Sequence, residues 1–155
     1  FGNTAYGLGP LARCQKPLSI DAIFGLLAGS DLVVSANLLT QLPLLPMGLI
    51  REKAQKGGNR DGDEETEAFA RGIIDHHLDL LAQLPGRVAL LTETERVISD
   101  GDEVLQSIDP LFGATVPAAG KIKRWTWDIA LRPEITRHID LRFRMVEIAD
   151  LKAAL

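Results

Sequence analysis

Cysteine is almost missing from this chain: Cys14 is the only one among 155 residues. An intramolecular disulfide and a multi-cysteine zinc site are thereby excluded, and the expected compartment is a reducing cytoplasm. Long apolar runs are missing too. The longest, over 38–50, is broken by Thr40, Gln41, Pro43 and Pro46 and falls short of the roughly 20 residues a membrane-crossing helix requires. No partnership with a membrane is expected. Nor is there a large surplus of one charge, since 17 Lys and Arg stand against 21 Asp and Glu, and this balance gives no indication of a nucleic-acid partner. The chain carries no internal repeat and no low-complexity segment, and it opens on Phe1 without a charged-then-apolar leader, so no signal peptide is expected at this end. Its length suits one domain that buries roughly two thirds of its unfolded surface, and 1–155 is expected to be a single α/β domain.

What the chain does contain begins with "SDLVVSANLLTQLPLLP" over 30–46. Asp31 opens a run of Leu and Val with no polar alternation, which predicts a strand buried on both faces, as in a parallel sheet covered by helices. Ser35, Ala36 and Asn37 close that strand. Ligands of open α/β sheets bind outside the carboxyl ends of the strands, so Asn37 stands where a polar side chain is useful. Ahead of it, Gly7 to Gly9 reads as a surface turn, and 19–29 as a short helix with Ser19 as its cap and Ile20, Ile23, Phe24 and Leu27 as its stripe.

After the strand, 47–63 loses its apolar pattern, gains Gly57 and Gly58 and reads as a loop. The clearest helix is 64–84, with Phe69, Ile73, His77, Leu80, Leu81 and Leu84 on one side and Arg71, Asp75 and Asp79 opposite. Pro85 and Gly86 stop it, and "RVALLTET" over 87–94 predicts a second buried strand. A long helical connection of this kind joins parallel strands. Farther on, 102–108 reads as a short helix, and 123–130 and 138–148 as strands with Trp125 and Trp127 on one face of the first. About seven linking residues can close a hairpin but not a parallel crossover, so these two are expected to pair antiparallel.

The order strand, helix, strand, short helix and closing antiparallel pair resembles the C-terminal half of the class I S-adenosylmethionine-dependent methyltransferases. The local likeness lies in "DLVVSANLLTQLP", which is similar to that family's fourth strand and its exit, in "LPGRVALLTETERV", similar to its helix-to-fifth-strand step, and in "RWTWDIAL" with "HIDLRFRMVEI", similar to its closing strands. It covers 31–148. The resemblance implies a Rossmann-like, mostly parallel sheet flanked by helices and ending in an antiparallel β-hairpin. It implies S-adenosylmethionine as cofactor, with Ser35 and Asn37 toward the cofactor, Gln41 and Glu93 toward a small or macromolecular methyl acceptor, and no metal. The family's glycine-rich loop is not found, because Gly7 to Gly9 follows no apolar strand. Either the N-terminal half is missing, or internal residues are, or the chain is a relative that no longer methylates.

Each sharp reading has a plain counterpart. Asn37 serves equally as a turn-capping residue, Gln41 and Thr40 as solvated turn residues, and Glu93 as a lone carboxylate that defines no acid–base chemistry. His76 and His77, adjacent on a helix, point about 100° apart and cannot grip one ion together. Trp125 and Trp127 are expected to pack against a helix. The rival to methyl transfer is a non-catalytic interaction module that has lost the cofactor loop, motivated by that missing loop and by the apolar "LPLLPMGLI" over 42–50, a segment suited to cover the sheet, to line a pocket or to bind a partner subunit in a homo-oligomer.

Overall fold

The computed structural model describes residues 25, 27, 29–56, 63–117 and 119–155. The glycine turn at 7–9, Cys14 and all of the helix expected over 19–29 except Gly25, Leu27 and Gly29 lie outside them. Strand β1 (Leu32–Ala36) is followed by helix α1 (Leu44–Lys56), helix α2 (Asp63–Gln83) and the long strand β2 (Arg87–Asp100), then by β3 (Glu103–Ile108), β4 (Ile122–Ala130) and β5 (Asp140–Ile148). The five strands form one sheet in the order β1-β2-β5-β4, with β3 also on β2.

The pairing corrects the expected fold class. Only β1 and β2 pair parallel, Leu32 to Arg87 through Ala36 to Leu91, whereas β2–β3, β2–β5 and β4–β5 are all antiparallel. The chain forms a mixed sheet with two helices among the described residues, not a Rossmann-like, mostly parallel sheet flanked by helices. The helical connection does yield one parallel pair, as expected. The last strand then enters between β2 and β4 and runs against both. On its other edge β2 carries β1 along residues 87–91 and β3 along 96–100.

Three local expectations also change. The span 47–63, read as a loop, is helical through Lys56. Pro43 and Pro46 sit ahead of α1 and in its first turn, where a backbone N–H has no helical partner, so proline is tolerated there. The first helical hydrogen bond, from Met47 N to the Pro43 carbonyl at 2.9 Å, closes over them, and a Glu52–Lys56 pair decorates the exposed side. The span 102–108 is not a helix but strand β3. Asp100 pairs with Glu103 across Gly101 and Asp102, with Gly101 at φ 61, a two-residue hairpin turn that requires positive φ. And β2 runs on past Thr94 to Asp100.

Helix α2 packs on one face of the sheet. Ala70, Ile74, Leu78 and Leu81 are its buried apolar residues, with Phe69, Ile73, His77 and Leu80 only partly covered, so the buried stripe lies one position round from the one expected. Ile74, Leu78 and Leu81 meet Val88, Leu90, Val146 and Ile148 from the strands, with Leu39, Leu111 and Leu151 closing the cluster. Each such side chain contributes roughly 1.5–3 kcal/mol by leaving water. By alternation along the strands, Leu32, Val34, Met145, Phe143, Trp125 and Trp127 belong to the opposite face. Both tryptophans are exposed there, on the face away from α2.

Candidate functional site

The carboxyl end of β1 lies beside the middle of β2, because the Asn37 N–H donates to the Leu91 carbonyl at 2.8 Å and carries the parallel ladder one residue beyond β1. Asn37 itself turns into the left-handed region at φ 54, a conformation that Asn adopts more readily than most residues. The chain then coils through 38–42, with Gln41 N and Leu42 N both donating to the Leu38 carbonyl. Asn37 is half-buried and Gln41 exposed.

Glu93 has a structural occupation. Its Oε1 accepts from Thr40 Oγ1 at 2.6 Å and from Arg96 Nη2, and its Oε2 accepts from Arg96 Nε at 2.9 Å. Thr40 and Glu93 are both buried. The Arg96 guanidinium lies 5.3 Å from the centroid of the Phe143 ring, a cation–π arrangement. Its hydrogen bond to Glu93 raises the Arg96 pKa above the ordinary arginine value, against the opposing effect of burial. The carboxylate therefore ties the exit of β1 to β2, with both oxygens engaged by partners within the chain.

Ser35 is likewise occupied. It is buried, and its Oγ lies 3.2 Å from His77 Nε2, which ties β1 to α2 beneath the sheet. Burial, and then the neighbouring His76, hold the His77 pKa below the usual imidazole value. A histidine kept neutral in the fold but free to protonate when unfolded makes stability rise with pH, so this contribution is present above about 6.5 and is lost as pH falls. Between pH 7 and pH 5 the urea midpoint of the native chain is expected to drop more than that of a His77→Gln variant. Parallel profiles for the two proteins would refute this. Asp140 does not interfere in that window, since its carboxyl is held below the ordinary aspartate range, first by the Arg132 backbone N–H and then by the Arg132 and Arg142 guanidiniums.

Of the four residues expected to serve a ligand, the fold thus leaves Asn37 and Gln41 at the edge of the parallel pair and commits Ser35 and Glu93 to partners within the chain. The described residues at this edge do not fit S-adenosylmethionine by themselves. Its ribose hydroxyls and methionine ammonium call for a carboxylate, and Glu93 is already spent on Thr40 and Arg96.

A second polar constellation, absent from the sequence reading, occupies the far end of the sheet on the α2 side. A shallow pocket of about 240 Å³ is lined by Val97, Ser99, Gly101, Asp102, Val104, Thr126, Arg142 and Arg144. Arg142 donates to Asp128 at 3.0 Å, to Ser99 at 3.0 Å and to Asp140 at 3.4 Å, and Arg144 pairs with Glu95 at 2.6 Å. Buried Asp140 also receives the Arg132 N–H at 2.8 Å and its Nε at 3.2 Å. The alternation of Asp140, Arg142 and Arg144 is the signal that placed these three on one strand face. Among the described residues no group of His, Cys, Asp and Glu could hold a metal ion, and no helix is long and apolar enough to cross a membrane. The chain matches no family model, no curated protein and no solved structure.

Proposed function

We propose that the chain works as a non-catalytic interaction module built on a mixed sheet. One observation carries this reading: two of the four polar side chains expected to bind a ligand at the parallel edge are engaged internally, Ser35 by His77 and Glu93 by Thr40 and Arg96, while apolar side chains close by remain in water. In α1, Leu45 is 74% exposed and Leu49 52%, one turn apart on the same side of the helix, whereas Met47 is buried. This ridge is the part of 42–50 that a partner would cover. Calorimetric titration with S-adenosylmethionine and S-adenosylhomocysteine tests the reading, with no binding expected at millimolar ligand.

S-adenosylmethionine-dependent methyl transfer to an unidentified acceptor is the second reading. The parallel pairing of β1 with β2 and the antiparallel closing pair of β4 with β5 favour it. Cofactor binding that weakens in an Asn37→Ala variant would replace the first reading with this one.

A further inference from the structure

Among the described residues the sheet ends at β1, whose outer edge carries no strand. An open edge presents a row of backbone N–H and C=O groups as a template for another strand, and proteins usually blunt such edges with charge, proline or a bulge. The other outer strands are blunted in this way. Strand β4 carries Lys123, Arg124 and Asp128, and β3 carries Glu103 and a register shift against β2. Strand β1 reads LVVSA, with no charge, proline or bulge within its five residues. Its Leu32 is 45% exposed and its Val34 59%, both on the face away from α2. This is the composition of a central strand placed at an edge.

We propose that this edge is a homodimer interface, in which β1 of one copy pairs antiparallel with β1 of a second copy about a twofold axis at Val34. A twofold contact is self-complementary, with residue i facing j and j facing i. Centring it on Val34 engages the whole strand. Leu32 then faces the second copy's Ala36, Val33 faces its Ser35, and Val34 faces its own counterpart, so large side chains meet small ones on each face. Asp31 and Asn37 flank the strand at its opposite ends, so an antiparallel pair brings the carboxylate end of one copy to the amide end of the other and like charges do not meet. Main-chain hydrogen bonds supply the attraction, and Leu32 and Val34 lose their contact with water. The two sheets join into one.

This inference rests on the interaction-module reading and names its partner, a second copy of the chain. Sedimentation equilibrium over a concentration series is expected to show a reversible monomer–dimer equilibrium, weakened about tenfold or more in Val34→Lys, which sets two ammonium groups face to face. The circular dichroism spectrum and urea midpoint of the monomeric variant should match those of the native monomer, since position 34 is solvated there. In a Cys14→Ser background, Val34→Cys should form an intermolecular disulfide on mild oxidation, because directly opposed strand residues meet the distance a disulfide needs. Leu49→Cys on α1 should not. A chain that stays monomeric at every concentration overturns the proposal, as does a dimer that survives Val34→Lys or one that Leu49→Lys dissolves instead. S-adenosylmethionine binding overturns the parent reading without touching the dimer, and a monomer that binds no cofactor overturns the dimer alone.

Discussion

Replacing Glu93 with alanine is expected to lower stability by about 2–3 kcal/mol, a large share of what a chain of this size has to lose. Both carboxylate oxygens are bonded, and the partners come from different parts of the chain: Thr40 beyond the end of β1, and Arg96 on the far side of the register shift between Glu93 and Glu95 in β2. Taking one member out of a buried ion pair typically costs about 3–5 kcal/mol because the other charge is left unpaired. Here the side chain of Arg96 is 27% exposed against 7% for Glu93, so the guanidinium recovers some water and the cost falls below that range. Buried Thr40 also loses its acceptor. Glu95→Ala is the contrasting case. Its partners Arg144 and Ser107 are exposed, and a solvated pair of that kind contributes about 0–1 kcal/mol. Urea unfolding of the two variants decides the matter: equal losses would contradict the assignment of Glu93 as a tie within the sheet, and a fully stable Glu93→Ala would return Glu93 to the candidate ligand-binding residues.

That distinction was not legible in the sequence. Ser35 and Glu93 are polar residues at the ends of apolar runs, and the pattern is the same whether such a residue faces a ligand or a partner far along the chain. His77 is 42 residues from Ser35 and Thr40 is 53 from Glu93, beyond the reach of any periodicity, and Arg96, three residues on from Glu93, meets it across the register shift of β2. What local pattern does carry was recovered: the span of α2, the parallel pairing of β1 with β2, and the antiparallel pairing of β4 with β5. The position of β5 between β2 and β4 is a long-range choice with no local signal, and it turns an expected mostly parallel sheet into a mixed one. Two other elements do carry local signals. Gly101-Asp102 between Val- and Ile-containing runs is a hairpin turn, and Met47 to Lys56 is rich in good helix formers despite Gly48. In β2, the shift between Glu93 and Glu95 moves the buried positions from 88, 90 and 92 to 97 and 99, which breaks the alternation a single strand should show.

The αβ turn that launches β2 leads to the other large expected effect. Gly86 adopts φ 71, and a Cβ built there would stand 2.6 Å from the Ser30 carbonyl oxygen and 3.0 Å from that of Asp31. The left-handed conformation costs a residue with a side chain about 1–2 kcal/mol, and the contact adds overpacking of about 1–3 kcal/mol because its neighbours are backbone atoms that cannot rotate away. They also belong to the entry of β1, where the Arg87 N–H donates to the Asp31 carbonyl at 3.1 Å. To make room, the turn must lift off the strand and weaken the first rung of the parallel ladder. Gly86→Ala is therefore expected to destabilise the fold by about 3 kcal/mol. Gly120 separates the two causes. It has a comparable φ of 83, but a Cβ there would meet its nearest backbone atom, the Ala153 carbonyl oxygen, at an ordinary 3.6 Å, so Gly120→Ala should cost the conformational part alone, about 1–2 kcal/mol. If chemical denaturation finds the two variants equally destabilised, the close approach of the α2–β2 turn to β1 is not what restricts position 86 to glycine.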